Sequence, residues 1–258
     1  MIYAGIDAGS RAIKVVLMRA GESQPIGVGV ADQGVEQDRL ATALFNRVLA
    51  QAGIARREVA RVVGTGYARA SLSLADTTVT EITCHARGVH HLLPATRTVI
   101  EIGGQDSKVL RLEANGGVRD FAMNDRCAAG TGRFLEVVAN RLDVGLDQLG
   151  AAAAKSRRPA AISSMCVVFA ETEIIGLLSQ GVSREDILAG VQSSVATRVA
   201  ALVGQQVTPL AVFTGGVALI SGMALALERA LGTPLQLAPD PQMTGALGAA
   251  LIACRQCS

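Results

Sequence analysis

Short apolar runs alternate with stretches of helical spacing along the first half of the chain. The pattern predicts a strand, a tight turn and a second strand over residues 2–18, and then a helix over residues 37–52. It predicts a short strand over residues 59–63 and a helix over residues 80–93, which Pro94 closes. Strands that alternate with helices in this way are typical of α/β proteins.

The opening pattern recurs later in the chain. Residues 98–112 again predict a strand, a glycine-rich turn and a strand. An acid precedes each turn, Asp7 in the first copy and Glu101 in the second. A lysine follows that acid by seven residues in both copies, at Lys14 and Lys108. One such hairpin arises easily by chance, but two in the same register indicate a duplicated unit.

The second half continues with further helices and short strands. We predict helices over residues 128–141, 171–180, 183–204, 222–231 and 244–254, and strands over residues 210–213 and 235–237. Residues 161–169 are predicted to be partly extended, and Ser183 is the expected N-cap of its helix.

The domain boundary is placed near Pro94. Residues 1–95 would form lobe I, onto which a C-terminal helix of about residues 240–258 would pack. Residues 96–239 would form lobe II. We see no flexible linker between the two.

Composition narrows the classes of partner. Half of the 258 residues are apolar, which excludes a disordered chain, and 24 basic against 22 acidic residues leave a net charge of +2. With so little net charge and only 3% aromatic residues, we expect no nucleic-acid partner.

Asp7, Arg11 and Lys14 interrupt the N-terminal apolar run, so no signal peptide is expected. Residues 199–227 carry no charge, yet their pattern predicts strand, turn and helix; we expect a cytoplasmic protein without a membrane partner.

Three glycine turns are candidates for binding phosphate or nucleoside, because backbone N–H groups of such turns can surround anionic oxygens. The residues are Asp7, Gly9, Ser10, Lys14, Gly103, Gly104, Gln105, Thr214, Gly215, Gly216 and Val217. Asp7 with Glu101 or Asp106 could hold Mg²⁺ through waters, and Lys14 or Lys108 could offset phosphate charge. A single turn is often a plain hairpin, but the three together predict nucleotide binding. Neither a P-loop nor a dinucleotide-binding glycine pattern is present.

The number of cysteines is odd, and nothing in the sequence suggests secretion, so a disulfide framework is not expected. They are Cys84, Cys127, Cys166, Cys254 and Cys257. Cys127 precedes a glycine-rich helix start, where the helix N-terminus favours a thiolate, and Cys166 lies in an apolar stretch. From the residues alone this pair is either core packing or a set of metal ligands. Cys254 and Cys257 form a Cys-x-x-Cys without a second pair, which favours an ordinary tail, and Cys84 is assigned no ligand role.

Four segments carry a family resemblance. They are residues 102–106 (IGGQD), 124–135 (NDRCAAGTGRFL), 163–171 (SSMCVVFAE) and 214–217 (TGGV). In this order they resemble the activator, or component A, of the 2-hydroxyacyl-CoA dehydratases. The same family includes the ATPase subunits of benzoyl-CoA reductase, and it lies within the superfamily of actin, hexokinase and the heat-shock chaperone ATPases. The resemblance covers essentially the whole chain.

The resemblance implies a duplicated actin-like (ribonuclease H-like) α/β ATPase fold, with two lobes and a nucleotide cleft for ATP or ADP with Mg²⁺. It also implies one [4Fe–4S] cluster per homodimer, held in lobe II by Cys127 and Cys166 of each copy. A ferredoxin or flavodoxin would supply one electron, which ATP hydrolysis would help pass to a dehydratase or reductase component. Gln105 or Asp106 would orient the attacking water, by analogy with other nucleotide hydrolases.

Alternative functions on the same fold remain open at this point. The chain could be the ATPase subunit of a benzoyl-CoA reductase-type complex, which differs mainly in its partner. A small-molecule kinase would be colourless, and its cysteines would be replaceable by serine. A filament-forming actin-like protein would polymerise with ATP and hold no iron.

Overall fold

The computed structural model describes residues 1–125, 127–163, 166–204 and 207–255 of the chain. Arg126 and residues 164–165, which belong to the cysteine-containing segments, lie outside the described residues, and so does Cys257. The chain forms two compact units. The first comprises residues 1–99, 110–121 and 238–255, and the second comprises residues 100–109 and the described part of 122–237.

The first unit contains a five-stranded sheet and three helices. Its strands, in the spatial order β3-β2-β1-β4-β5, are β1 (Ile2–Ala8), β2 (Ala12–Arg19), β3 (Gly27–Asp32), β4 (Val59–Thr65) and β5 (Thr77–Thr78). Its helices are α1 (Gln37–Ala52), α2 (Glu81–Leu92) and α8 (Thr244–Arg255), the last from the C-terminal end of the described chain. β1 pairs antiparallel with β2 and parallel with β4.

Helices cover both faces of this first sheet, so all seven residues of β1 are buried. Ile6 and alternate residues of β1 and β2 pack with the apolar side of α1, including Leu44 and Phe45. Residues that point the other way, such as Val16, pack with Ala246 and its neighbours in α8. The turn that follows β1 is therefore attached to a fully buried strand.

The second sheet has the strand order β10-β9-β6-β7-β8. Its strands are β6 (Thr98–Ile102), β7 (Ser107–Leu112), β8 (Val118–Asn124), β9 (Ala211–Thr214) and β10 (Gln236–Leu237). The helices of the second unit are α3 (Gly132–Arg141), α4 (Leu149–Ala153), α5 (Val167–Ser179), α6 (Arg184–Val203) and α7 (Met223–Leu231). One large apolar core joins the sheet to these helices, and Phe134 and Phe213 are among its fully buried members.

The two sheets have the same topology, which confirms the predicted duplication. Each begins with a hairpin, β1–β2 or β6–β7, and places the third strand beside the second. The fourth strand, β4 or β9, lies beside the first in both sheets, and each ends in a buried threonine followed by glycine. The repeat was predicted from the hairpins alone, whereas the structure extends it to all five strands.

Some predicted element bounds are wrong. The helix predicted from residue 128 begins at Gly132, because residues 128–131 form a turn that precedes it. The extended stretch predicted over residues 161–169 ends earlier, since α5 begins at Val167. β3, β5, β8 and α4 were not predicted. β3 alternates half-buried with exposed positions and contains two glycines, which hides its apolar pattern.

The longest helix, α6, contributes much of the core of the second unit. Its N-cap is Ser183, as predicted: the hydroxyl oxygen accepts a hydrogen bond from Asp186 N at 3.1 Å. Among the described helices, α6 alone has the length and hydropathy of a membrane span, but half of its most apolar window is buried inside the protein, as in an ordinary core helix. In the described part of the uncharged residues 199–227, the end of α6 is followed by β9 and part of α7, so the predicted strand and helix are present.

We expect Ser183→Ala to lower the free energy of unfolding by about 1 kcal/mol, because the Asp186 N–H at the start of α6 would lose its acceptor. Urea denaturation measures the change. Ser193→Ala is the matched control, since Ser193 is exposed in the middle of the same helix, where alanine favours helix slightly. Equal stability of the two variants would contradict the capping role.

Candidate functional site

The first predicted turn carries a partly exposed ion pair. Lys14 Nζ lies 3.1 Å from Asp7 Oδ2, and the two residues face each other across the β1–β2 register. Gly9 closes the turn by donating its N–H to Ala12 O at 3.1 Å, and Gln33 Nε2 donates to Gly9 O at 2.9 Å. The structure thus brings Asp7, Gly9 and Lys14 together, with the half-buried Ser10 beside them in the turn.

The second predicted turn carries a cluster of one buried lysine, one buried carboxylate and one partly exposed carboxylate. Lys108 is only 2% exposed; its Nζ lies 3.1 Å from Glu101 Oε2 and 2.8 Å from Asp106 Oδ2. Gly103 N donates to Asp106 O at 3.0 Å and closes the turn, while Gln105 is exposed. Lys108 is therefore held by two acids, in contrast to the single acid beside Lys14.

A threonine–glycine pair lies against the carboxylate in each unit. Gly66 follows β4 with φ of +97°, and a Cβ atom there would lie 2.5 Å from Asp7 Oδ1. Gly215 follows β9 with φ of +91°, and a Cβ atom there would lie 2.7 Å from Glu101 Oε1. Only glycine suits both the backbone conformation and the space. Gly215 was predicted from sequence and Gly66 was not, although the Thr65–Gly66 dipeptide matches Thr214–Gly215.

The second turn is also bonded to the start of α3. Gly132 N donates to Gly103 O at 2.9 Å, and Arg133 N donates to Gly104 O at 2.8 Å. These bonds satisfy N–H groups that the first turn of a helix would otherwise leave without partners, and no side chain caps α3. Ser107 Oγ adds a bond to Gly130 O at 2.5 Å. Three hydrogen bonds therefore join the glycine turn to the segment that follows Cys127.

Cys127 and Cys166 are both exposed free thiols near the starts of helices in the second unit. Asn124 Nδ2 fixes the loop of Cys127 by donating to Cys127 O at 3.0 Å and Ala129 O at 2.8 Å. Cys166 is the N-cap residue of α5. The helices α3 and α5 pack against each other, and the two thiols precede these helices in the chain.

Helix α5 leaves much of its apolar surface uncovered. Directly after Cys166, Val168 is 68% exposed and Phe169 is 69% exposed, and Ile175 and Leu178 are exposed as well. Only Ala170 and Ile174 of this helix are buried. Large apolar side chains grouped beside an exposed thiol are typical of a protein interface.

Cys84 differs from these two cysteines because it lies in α2 and is buried against residues of β1, β4 and α8. Burial raises the pKa of its thiol to about 12, so it stays protonated at neutral pH. Cys254 is half-buried. The proposed ordinary tail also includes Cys257, which lies outside the described residues.

We expect iodoacetamide to alkylate Cys127 and Cys166 of the native, iron-free protein at pH 8, and to leave Cys84 unmodified. The thiolate is the reactive form, and a thiol of pKa about 12 forms almost none at this pH. Peptide mass spectrometry measures each site, and the urea-unfolded protein provides the control in which Cys84 reacts. Rapid modification of Cys84 in the native protein would contradict its burial.

The described residues contain no group of three or more His, Cys, Asp or Glu side chains placed to hold a metal ion. The donor set of Cys127 and Cys166 supplies two thiols, which is half of what a [4Fe–4S] cluster usually takes. Because both thiols are exposed, they can bind a cluster to which a second protein molecule is also bound. The two thiols therefore fit a cluster shared between two chains.

Comparison with known proteins identifies the family. Residues 4–253 match the BadF/BadG/BcrA/BcrD ATPase family. The chain belongs to this family. Membership confirms the predicted family, and it also confirms the prediction of an ATPase.

Individual proteins also resemble the chain over nearly its full length. The 2-hydroxyisocaproyl-CoA dehydratase activator of Clostridioides difficile is 44% identical over 258 residues, which span 98% of this chain and 95% of that protein. A benzoyl-CoA reductase subunit of Thauera aromatica is 34% identical over 261 residues, with coverages of 97% and 92%.

A solved structure of the Clostridium difficile activator with bound ADPNP has a TM-score of 0.93 at 42% identity, and the match covers 99% of this chain and 95% of that one. The predicted actin-like ATPase fold is therefore confirmed. The ATP analogue in this neighbour and the ATPase family together support ATP binding by this chain.

Proposed function

We propose that the chain is a cytoplasmic, ATP-dependent one-electron donor that activates a 2-hydroxyacyl-CoA dehydratase-type enzyme. The observation that carries the proposal is the pair of exposed thiols, Cys127 and Cys166, on a packed helix pair of an ATPase. The 44% identical activator from Clostridioides difficile supports the same class of partner.

The residues of the two hairpin turns and of the Thr214–Val217 turn are proposed to bind ATP with Mg²⁺. Lys14 is the better candidate for a phosphate contact, since it is partly exposed and has one acidic partner, whereas Lys108 is buried between two. Asp106 is already held by Lys108, so the exposed Gln105 is the better candidate to orient the attacking water. Asp106 would then act by shaping the turn.

Cys127 and Cys166 of each of two copies are proposed to hold one [4Fe–4S] cluster in a homodimer. Such a cluster, once bound, supplies a one-electron carrier of low potential. The exposed Val168 and Phe169 would be buried against the second copy, which removes apolar surface from water. A twofold axis makes each copy contribute the same two thiols.

The hydrogen bonds between the glycine turn and α3 support a route by which a structural change at the nucleotide reaches the cysteine segment. A change of position of Gly103 or Gly104 would move the N–H groups of Gly132 and Arg133, and with them the start of α3. Ser107 transmits the same displacement to Gly130, three residues after Cys127.

A ferredoxin or flavodoxin is the proposed electron source, and a dehydratase component is the proposed acceptor.

Anaerobic purification tests the proposed function. The same sample is assayed for iron, acid-labile sulfide and ATP hydrolysis. We expect a brown protein with about four iron atoms per two chains and measurable ATPase activity. An iron-free protein that phosphorylates a small molecule would replace the proposal with the kinase alternative, and ATP-dependent polymerisation without iron would indicate an actin-like filament protein.

The second candidate is the ATPase subunit of a benzoyl-CoA reductase-type complex, which the 34% identity to the Thauera aromatica protein supports. The two candidates differ in how the partner is held. An activator purifies as a homodimer and acts on a separate enzyme, whereas a reductase subunit remains in a larger complex. Size-exclusion chromatography of the protein from its native source, made without oxygen, separates these outcomes.

A further inference from the structure

Gln33 is a loop residue that is hydrogen-bonded to the first glycine turn. It follows β3 directly, and its backbone N–H donates to Arg11 O at 3.0 Å. Its side-chain Nε2 donates to Gly9 O at 2.9 Å, and its Oε1 accepts from Gly34 N at 3.2 Å. Because a carbonyl only accepts and a backbone N–H only donates, these two bonds define the orientation of the side-chain amide. Gln33 therefore presents an N–H donor to the carbonyl of Gly9.

The bond to Gly9 O determines where the next backbone N–H group points. The peptide bond between Gly9 and Ser10 is trans. In a trans peptide the C=O and the N–H lie in one plane and point in opposite directions. Because the Gly9 carbonyl is directed at Gln33, the Ser10 N–H is directed to the opposite side of the peptide.

Ser10 has donors that the protein itself does not use. Within the described residues, no hydrogen bond is made by Ser10 N or Oγ. The residue is half-buried, so both groups lie in the turn without being enclosed in the core. The backbone N–H and the hydroxyl of Ser10 are therefore available to a ligand.

The second unit restrains the equivalent carbonyl in the same way. Gly103 corresponds to Gly9 in the repeat, and each of these glycines closes its turn by donating its N–H to the carbonyl three residues later. Gly103 O accepts from Gly132 N at 2.9 Å, the same distance as the bond from Gln33 to Gly9 O. In the first unit a side chain thus supplies the donor that the start of α3 supplies in the second. The occurrence of this restraint in both turns argues against a chance contact of Gln33.

We propose that Gln33 is a positioning residue of the nucleotide site, which acts through the Gly9–Ser10 peptide to direct the Ser10 N–H at a phosphate oxygen of ATP. The inference rests on the proposed function, in which the first turn helps to bind ATP. Backbone N–H groups of such turns bind anionic oxygens when they converge on one point. Gln33 itself does not touch the nucleotide.

Two substitutions remove the donor and nearly keep the length of the side chain. Gln33→Met has no N–H group, and Gln33→Glu places a carboxylate beside the Gly9 carbonyl, where two acceptors repel each other. We expect Gln33→Met to raise the KM for ATP and the Kd for the ATP analogue ADPNP about 5- to 10-fold, and Gln33→Glu to raise both further. The kcat at saturating ATP should change by less than about threefold, since the contact binds the substrate and the transition state alike.

Hydrogen–deuterium exchange with mass spectrometry tests the direction of the N–H group itself. Saturating ADPNP should slow exchange in residues 8–12 of the wild type, because the Ser10 N–H becomes bonded. In Gln33→Met this protection should be lost, while residues 103–106 exchange as in the wild type. Gln51→Met is the matched control, the same substitution at an exposed glutamine of α1, and it should behave as the wild type in every assay.

The outcomes separate a positioning role from a purely structural one. A Kd of Gln33→Met equal to that of the wild type, or unchanged protection of residues 8–12, would overturn the inference. Loss of protection in both turns, with a lowered melting temperature, would also overturn it, because it would show a general loss of structure. If Gln33→Glu does not fold, Gln33→Met decides alone. A wild type that binds neither ATP nor ADPNP would contradict the proposed function and this inference with it, whereas a wild type that binds ADPNP as tightly as Gln33→Met does would overturn the inference alone.

Discussion

Replacing Cys127 by serine should reduce the iron of the anaerobic protein from about four atoms per two chains to nearly none. A symmetric site loses two of its four thiolates when one cysteine per chain is removed, and a cluster on two thiolates is not retained. Iron and sulfide assays measure the loss, and the visible absorbance should vanish with it. Cys166→Ser should give the same result.

The fold and the nucleotide site should survive both changes. Each thiol is exposed, so serine leaves no cavity in the core. ATP binding, measured by calorimetry, should stay within threefold of the wild type. Cys254→Ser is the control that keeps its iron. Full iron content in the Cys127→Ser protein would rule out this cysteine as a ligand.

Replacing Lys108 by methionine should destabilise the protein by about 3–5 kcal/mol. The ammonium group is the shared partner of the Glu101 and Asp106 carboxylates, and its removal leaves the buried Glu101 charge and the partly exposed Asp106 charge without their counterion. Glu101 is 4% exposed, so water cannot replace the lost contact without local opening. Urea denaturation measures the shift in midpoint.

Lys14→Met is the matched comparison in the first unit. Its side chain is 15% exposed and has a single acidic partner, so the loss of stability should be clearly smaller. ATP affinity should instead fall by about 10- to 100-fold, as expected for the loss of one charge-assisted bond. Equal destabilisation by the two substitutions would contradict the distinction between a buried counterion and a phosphate contact.

The repeat of acid, glycine turn and lysine predicted much of the fold. Hairpins have a short-range signature, so Asp7 and Lys14 could be paired from their spacing, and Glu101 and Lys108 likewise. Gly66 and Gly215 follow strands that are far from the hairpins along the chain. The spacing of residues within a hairpin therefore does not predict that these two glycines correspond. Only the common strand order makes the two glycines equivalent.

The predicted start of α5 was wrong for a different physical reason. Residues after Cys166 are apolar on most sides of the helix, so the periodic pattern of a half-buried helix is missing. The contact between His85 and Thr244 also escaped the sequence, because it depends on the packing of α2 against α8. Sequence spacing predicts neighbours within an element, whereas contacts between distant helices come from tertiary packing.

Native mass spectrometry of the protein kept free of oxygen tests the shared cluster most directly. We expect one species with the mass of two chains plus a single Fe₄S₄ unit, which separates into iron-free monomers after oxidation. A single chain that carries its own cluster, or a dimer that carries none, would contradict the account.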